Sequence, residues 1–298
     1  MVLRVITGVI GIIIAAVVIQ LGGAPFACFA IFLSLVAWHE FSDAFGRAGI
    51  ATTYIFGALT LVLLLCCAWI GNIEELLAVL TIGTLAMFLI MVFLGMRPTD
   101  VCVSTAGVVY IGMPFAHLIL LRFSADEKHP LESFINITNT VNEKAAAIGQ
   151  PDLIQSLSTL NFDTGCELVW ILFACTWASD TFAYFIGSAV GSHRLAPSIS
   201  PNKTVEGFLG SILGTVLVAI FVGNLIFSFE FTQMAIAGLI LSIAATLGDL
   251  VESAIKRYTN VKDSGFLIPG HGGVLDRFDS LFFTAPIFYY YVIVMQMF

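Results

Sequence analysis

The chain has 298 residues, of which 59% are hydrophobic and only 11% are charged, and its formal net charge is -8. Its mean hydropathy is +0.99, and apolar runs approach the roughly 20 residues that a helix needs to cross about 30 Å of hydrocarbon. A soluble core could not hide so many such runs, so the composition excludes a soluble protein and predicts an integral membrane protein. The six cysteines show no CxxC spacing, which argues against a zinc site or a disulfide framework.

We predict an all-α, polytopic membrane protein with about nine transmembrane helices. The predicted spans are 5–21, 25–38, 54–71, 76–95, 101–121, 168–185, 208–227, 233–250 and 281–297. The second run is short for a span, so it either extends past Trp38 or tilts and re-enters the membrane. Arg4 precedes the first run, which is longer than the apolar part of a signal peptide, so we expect a retained helix.

The positive charges predict the orientation of these spans. With the amino terminus in the cytoplasm, nine lysines and arginines fall on the inner side and three on the outer side. The inner set is Arg4, Arg47, Arg97, Arg194, Lys203, Lys256, Arg257, Lys262 and Arg277. The outer set is Arg122, Lys128 and Lys144. The positive-inside rule favours this arrangement.

Three regions follow from the distribution of polar residues. Residues 1–121 form an amino-terminal transmembrane scaffold of about five helices, with Glu40 and Asp43 in its first inner loop. Residues 122–167 form a polar extracytoplasmic loop, to which we assign no function. Residues 168–298 form the carboxy-terminal region, where the remaining ionisable residues and the candidate catalytic site concentrate.

Asp180 lies within the sixth predicted span. A carboxylate at that depth costs about 2.5–3.5 kcal/mol on insertion scales, so it needs a partner or a water-filled cavity. We expect Asp180 to face the protein interior. Ligand binding and simple pairing with a Lys or Arg are equally compatible with its position.

The inner loop before the seventh span carries Ser200, Lys203, Thr204 and Glu206. Lys203-Thr204 is similar to the end of a P-loop, but the GxxxxGK[ST] spacing is absent, so a Walker-type phosphate site is rejected. The alternative interpretation is a polar connector with a helix amino terminus near Pro201.

Asp249, Glu252, Ser253 and Lys256 follow the helical spacing i, i+3, i+4 and i+7. They therefore project from one face of the helix that continues the eighth span. The alternative is a helix end whose charges only solvate its exit from lipid.

The segment PGHGGVLDRFD follows this helix and combines glycines with acidic residues. Gly270, Gly272 and Gly273 surround His271 and allow the backbone to approach a phosphate. Asp276 and Asp279 come directly after. Carboxylates beside a glycine-rich loop suit a divalent metal ion that carries polyphosphate, since Mg²⁺ takes one or two protein carboxylates plus substrate oxygens. The alternative is a glycine turn with Asp276 as an N-cap.

These residues together resemble the signature of the phosphatidate cytidylyltransferases, also called CDP-diacylglycerol synthases. The matching positions are Ser253, Lys256, Arg257, Lys262, Asp263, Pro269, His271, Gly272, Gly273, Asp276, Arg277 and Asp279. The segments 200–207 and 179–184 are similar to the family as well. Two positions differ from the family pattern. Asn202 stands where Lys is frequent, and Phe182 stands where Gly is frequent. The strong likeness covers roughly the last 120 residues.

The resemblance implies a membrane enzyme that condenses CTP with phosphatidate to CDP-diacylglycerol and pyrophosphate. It implies that Asp249 and Asp276 are the metal ligands, with Mg²⁺ as cofactor and the number of cations left open. We expect catalytic roles for these two aspartates and for Lys256, Arg257 and His271. Expected substrate-binding residues are Ser200, Lys203, Thr204, Glu206, Ser253, Lys262, Asp263, Gly272, Gly273, Arg277 and Asp279.

The expected partners are CTP, phosphatidate and membrane lipids, without nucleic acid, and the sequence leaves a homodimer open. The expected location is a bacterial inner membrane, with the active site facing the cytoplasm. Two other functions stay open. One is a different CTP-dependent membrane enzyme, such as a lipid kinase, which would transfer the γ-phosphoryl group instead. The other is a membrane transporter, for which a buried Asp180 and broken helices would be natural.

Overall fold

The structure is a computed structural model that describes residues 2–71, 73–123, 163–265 and 272–297. The greater part of the predicted outer loop and His271 lie outside the described residues. The helices are α1 (Val2–Leu21), α2 (Gly23–Arg47), α3 (Tyr54–Ile70), α4 (Ile73–Leu94), α5 (Pro98–Phe123), α6 (Thr164–Val190), α7 (Val205–Ala219), α8 (Phe231–Tyr258), α9 (Leu275–Phe278) and α10 (Leu281–Val294). A π-helical segment, Ile220–Ile226, continues α7, and two short strands, β1 (Arg194–Ala196) and β2 (Ser200–Thr204), lie between α6 and α7.

Among the described residues, six helical stretches are long and apolar enough to cross a membrane. They are α2, α4, α5, α6, α8 and the combination of α7 with its π-helical segment. Shorter apolar helices occupy Thr7–Leu21, Tyr54–Ile70 and Leu281–Val294. Each predicted apolar run is therefore helical, which confirms the all-α polytopic class, while the count of nine crossings stays a prediction.

Helix α2 corrects one boundary. It continues through Glu40 and Asp43 to Arg47, so the prediction that these acids lie in a loop is wrong. The buried face of α2 continues past Trp38, because Phe41, Ala44 and Phe45 follow at helical spacing and are buried as well. The helix ends before Gly49, whose positive φ of 78° suits glycine.

Polar contacts mark two ends of the helix bundle. At one end, Arg97 binds Asp100 with a 2.7 Å Nη2–Oδ1 distance and also contacts the carbonyl of Gly49. At the other end, Arg122 binds Asp163 and donates to the carbonyl of Ile19 at 3.1 Å. We call the first the charged end, because Arg47, Lys203 and Lys256 also lie there, and the second the opposite end.

Helices α6 and α7 pack closely along a row of glycines. An added Cβ at Gly207 would lie 2.8 Å from the carbonyl oxygen of Ala183, and one at Gly210 would lie 2.5 Å from Ile186. The ring of Phe182 packs directly against Gly214, where an added Cβ would overlap it. The bulky side chain at 182 is thus accommodated because the facing helix has no side chain there.

The polar connector before α7 folds as a β-hairpin. β1 and β2 are antiparallel, with Arg194 opposite Thr204 and Ala196 opposite Ser200. The Thr204 hydroxyl accepts the N–H of Gly207 at 3.1 Å and caps α7, so the helix starts later than the alternative near Pro201. Pro201 and Asn202 are poor strand formers, and for that reason the sequence does not indicate this hairpin.

Candidate active site

A cavity of 610 Å³ opens at the charged end between α6, the hairpin, the start of α7 and α8. Its size falls in the range of small-molecule binding sites. Its polar lining includes Ser179, Asp180, Arg194, Asn202, Lys203 and Asp249. Arg194 and Asn202 were not among the predicted site residues, because their place on the hairpin follows from a fold that the sequence does not indicate.

Asp249 and Lys203 form an ion pair in the wall of this cavity. Lys203 comes from β2 and Asp249 from α8, so the hairpin is tied to the helix by opposite charges. The Ser253 hydroxyl lies 3.3 Å from Asp249 Oδ1, one turn along the same helix. Both side chains of the ion pair keep partial exposure, at 23% and 30%, which leaves them accessible to a ligand.

Lys256 joins two further carboxylates. Its Nζ lies 2.6 Å from Glu252 Oε2 on α8 and 2.9 Å from Asp276 Oδ1 on α9. The predicted shared face of α8 is therefore present, since Asp249 pairs with Ser253 and Glu252 with Lys256 at i,i+4. Both predicted metal-ligand aspartates lie at the charged end, and each contacts a different lysine.

Asp276 is held by several donors. Its Oδ2 accepts the N–H and the hydroxyl of Ser264 and the N–H of Gly273, each at 2.9 Å. Burial alone would raise the pKa of Asp276, but these hydrogen bonds and Lys256 lower it to about 2. The carboxylate is therefore ionised at neutral pH and fixed in orientation. Gly272 has a φ of 90°, a conformation that favours glycine and brings the backbone close to Asp276.

Three acidic side chains interact where α6, α8 and α10 meet. Burial and then the charge of Asp249 raise the pKa of Asp279 to about 7, and the charge of Asp180 adds to this. The Ser280 hydroxyl, at the start of α10, lies 3.4 Å from Asp180 Oδ1. Three neighbouring carboxylates make this part of the site favourable for a cation, although Lys203 already pairs with Asp249.

The residues present fit a magnesium ion. Carboxylate oxygens are the hard ligands that Mg²⁺ prefers, and Asp249 offers them at the cavity wall. Asp276 is not among the residues that line the cavity, and its Oδ1 is the oxygen that Lys256 contacts. The described residues contain no group of three or more His, Cys, Asp or Glu arranged to hold a metal by themselves. One or two protein carboxylates completed by substrate oxygens match the usual magnesium site of phosphate-transferring enzymes.

Glu40 of α2 is a site residue that the sequence analysis missed. Its Oε1 accepts the N–H of Val274 at 3.0 Å, and its Oε2 accepts that of Leu275 at 2.9 Å. The amino-terminal helices thereby reach the segment that carries Asp276. The available signal was an acidic residue among apolar ones on a helix, but nothing local in the sequence indicates its partner.

The other predicted site residues fall into two groups. Arg257 donates from Nε to the carbonyl of Ile199 at 3.2 Å and so contacts the hairpin turn. Glu206 accepts the N–H groups of Ser192 and His193, at 3.0 and 3.2 Å, and thus also holds the hairpin. Lys262, Asp263 and Arg277 are exposed at the charged end, outside the lining of the 610 Å³ cavity. The predicted catalytic residue His271 lies outside the described residues.

Comparison with known proteins gives the family. The sequence profile described as the cytidylyltransferase family matches residues 2–295, almost the whole chain. The chain belongs to the cytidylyltransferase family. The resemblance based on the carboxy-terminal signature is therefore confirmed, and it extends over the amino-terminal helices as well.

Curated relatives agree with this family membership. A cytidylyltransferase from Synechocystis sp., named phosphatidate cytidylyltransferase, is 35% identical over 297 residues, covering 98% of this chain and 96% of the relative. A protein of the same name from Staphylococcus haemolyticus is 29% identical over 95% of this chain and 96% of its own length. One from Bacillus subtilis is 48% identical over 126 residues, covering 41% of this chain and 47% of the relative.

Proposed function

We propose that the chain transfers the cytidylyl group of CTP to phosphatidate and releases pyrophosphate. An oxygen of the lipid phosphate attacks the α-phosphorus of CTP in line. The bond from the α-phosphorus to the bridging oxygen of the β-phosphate breaks, and that oxygen leaves with pyrophosphate. The product is CDP-diacylglycerol. The full-length similarity to relatives that carry the name phosphatidate cytidylyltransferase supports this substrate pair.

One observation of the structure carries the proposal. Two lysine–aspartate pairs, Lys203 with Asp249 and Lys256 with Asp276, lie at the same end of the bundle. The reaction brings two anions together, so their repulsion has to be neutralised by fixed positive charge. The ammonium groups are already placed among hard oxygen ligands, and substrate phosphates can replace aspartates as their partners.

The residues of this chain would do distinct work in the reaction. Lys203 and Arg194 on the hairpin line the cavity and would bind phosphates there, Arg194 as a planar bidentate donor and Lys203 as a point charge. Asp249 and Asp276 would hold Mg²⁺, and a second cation stays open. When bound, Mg²⁺ supplies charge neutralisation at the phosphate oxygens of the substrate. While Asp276 binds Mg²⁺, Lys256 would still neutralise the buried carboxylate of Glu252, whose side chain is only 4% exposed.

We further propose that the charged end faces the cytoplasm of a bacterial cell, in the inner membrane. The positive-inside rule favours that side for Arg47, Arg97, Lys203 and Lys256. A soluble nucleotide can reach a cavity at the membrane surface, and the lipid can approach from the bilayer. Both substrates therefore have access to one site only if the site lies at this interface.

The identity of the released product tests the reaction. Protein purified in detergent is incubated with Mg²⁺, phosphatidate and CTP labelled either at the α- or at the γ-phosphate. We expect the α-label in the lipid and the γ-label in pyrophosphate. Release of CDP with the γ-label in lipid would instead identify a lipid kinase, and no CTP consumption with flux in liposomes would identify a transporter.

A further inference from the structure

We propose that Glu40 is a positioning residue for the reaction, because it holds the backbone that presents the Asp276 carboxylate to its cation and to Lys256. The inference rests on the proposed function, in which Asp276 is a cation ligand. It assigns a role in the active site to the amino-terminal helices, which the sequence analysis treated as scaffold.

The contacts of Glu40 are specific in their geometry. Its two carboxylate oxygens take the two consecutive N–H groups of Val274 and Leu275, at 3.0 and 2.9 Å, immediately before Asp276. The Ser264 hydroxyl lies 3.5 Å from Glu40 Oε2 and 2.9 Å from Asp276 Oδ2. Glu40 thus contacts both chain segments that donate hydrogen bonds to Asp276.

Two glycines leave the space that Glu40 occupies. A Cβ at Gly265 would overlap the Glu40 carboxyl group, and one at Gly273 would lie 2.5 Å from its Oε2. Gly273 is also the residue whose N–H donates to Asp276. The backbone around Asp276 and the Glu40 side chain therefore fit each other closely, which restricts where the Asp276 carboxylate can point.

The burial of Glu40 makes its hydrogen bonds to the Asp276 segment strong and directional. Glu40 is only 5% exposed, and no ion pair with Lys or Arg is found for it in the described part of the chain. A buried carboxylate without a cation is costly unless hydrogen bonds satisfy it, and the amides of Val274 and Leu275 supply those bonds. Charged hydrogen bonds to consecutive amides, by contrast, give a rigid orientation.

The test compares Glu40→Gln with Asp43→Asn. Both remove one carboxylate from α2, but Asp43 is half-exposed and binds only Arg47, at 2.7 Å, in the described structure. Three quantities are measured on each purified protein: amide hydrogen exchange of Val274 and Leu275, the affinity for Mn²⁺ from the free-ion signal in electron paramagnetic resonance, and kcat and KM for both substrates.

For Glu40→Gln we expect faster exchange at both amides, about 10-fold weaker Mn²⁺ binding and a kcat about 10-fold lower at saturating substrates, as for residues that orient a metal ligand. The KM for phosphatidate should change little. Asp43→Asn should match the wild type in all three measurements. Melting temperatures of both variants show whether the fold is retained.

If Glu40→Gln does not fold, Glu40→Asp keeps the charge and withdraws the carboxylate by one methylene, with smaller changes in the same direction. The proposal is overturned if a folded variant exchanges these amides as slowly as the wild type. It is also overturned if exchange accelerates while Mn²⁺ affinity and kcat do not change. Because amide exchange needs no metal, CTP or lipid, a failure of the proposed reaction remains distinguishable.

Discussion

Each of the two central aspartates contacts a different lysine and accepts hydrogen bonds from further donors. Asp249 takes Lys203 and Ser253, while Asp276 takes Lys256, Ser264 and Gly273. The pairing within α8 follows from spacing alone, because residues four apart share a helix face. The pairing of Lys203 with Asp249 and of Glu40 with Val274 does not, since these residues are far apart in the sequence and meet only through packing. Sequence spacing therefore predicts the contacts within α8 but not the contacts between distant segments.

Removing the carboxylate charge at either aspartate should abolish most activity. We expect Asp249→Asn and Asp276→Asn each to lower kcat/KM by about 100-fold or more, as losses of electrostatic stabilisation at the reacting centre do. The measurement is pyrophosphate release with Mg²⁺, CTP and phosphatidate. Glu74→Gln is the matched control, because Glu74 is exposed on α4 at the opposite end. Near-normal turnover in both Asn variants would refute their role as metal ligands.

At the scale of elements, the hydrophobic runs predicted every long helix in the described part of the chain, because about 20 apolar residues have few other structures available in a membrane. The ends were less predictable. Helix α2 continues for nine residues past the predicted end at Trp38, because its polar carboxy-terminal turns still bury Phe41 and Phe45. The hairpin of β1 and β2 was missed because its strands are short and hold Pro201 and Asn202.

The contact between α6 and α7 depends on the glycine at 214. We expect Gly214→Ala to destabilise the protein by about 1–3 kcal/mol, because its methyl group would overlap the ring of Phe182. In a double variant with Phe182→Ala, the added methyl group should cost much less, since the ring is gone. Thermal unfolding in detergent measures both.

Gly11→Ala serves as the matched control for this packing argument. Gly11 is a helical glycine of α1, and among the described residues an added Cβ would meet nothing within 4 Å beyond the backbone of its own helix and its chain neighbours. Its replacement should be neutral or slightly stabilising, because alanine favours the helix. Equal destabilisation by Gly214→Ala with and without the Phe182 ring would contradict the explanation.

At the scale of the whole molecule, the opposite end is closed by one buried arginine. Arg122 is 5% exposed, binds both oxygens of Asp163 at 2.7 and 2.9 Å, and donates to the carbonyl of Ile19. It therefore links the ends of α1, α5 and the start of α6. The composition predicted the fold class, but it did not predict this link between helices. The sequence indicated Arg122 only as one of three outer positive charges.

Arg122→Ala should reduce stability without changing the chemistry. We expect a loss of about 1–3 kcal/mol, less than for a fully buried pair because Asp163 is 45% exposed. The KM for CTP, measured well below the melting temperature, should stay within about twofold of the wild type, within the ordinary scatter of a remote substitution. Arg47→Ala, which breaks an exposed pair with Asp43, should shift stability by no more than about 0.5 kcal/mol. A lower melting temperature for Arg47→Ala than for Arg122→Ala would contradict this ranking.

The Arg122–Asp163 pair also has a topological consequence. It brings together the two points where the chain leaves α5 and enters α6, so the stretch between them begins and ends at nearly the same place. The entropy of closing such a loop grows only slowly with its length. The helices therefore impose no minimum span on this stretch, and residues inserted into it should cost the fold little.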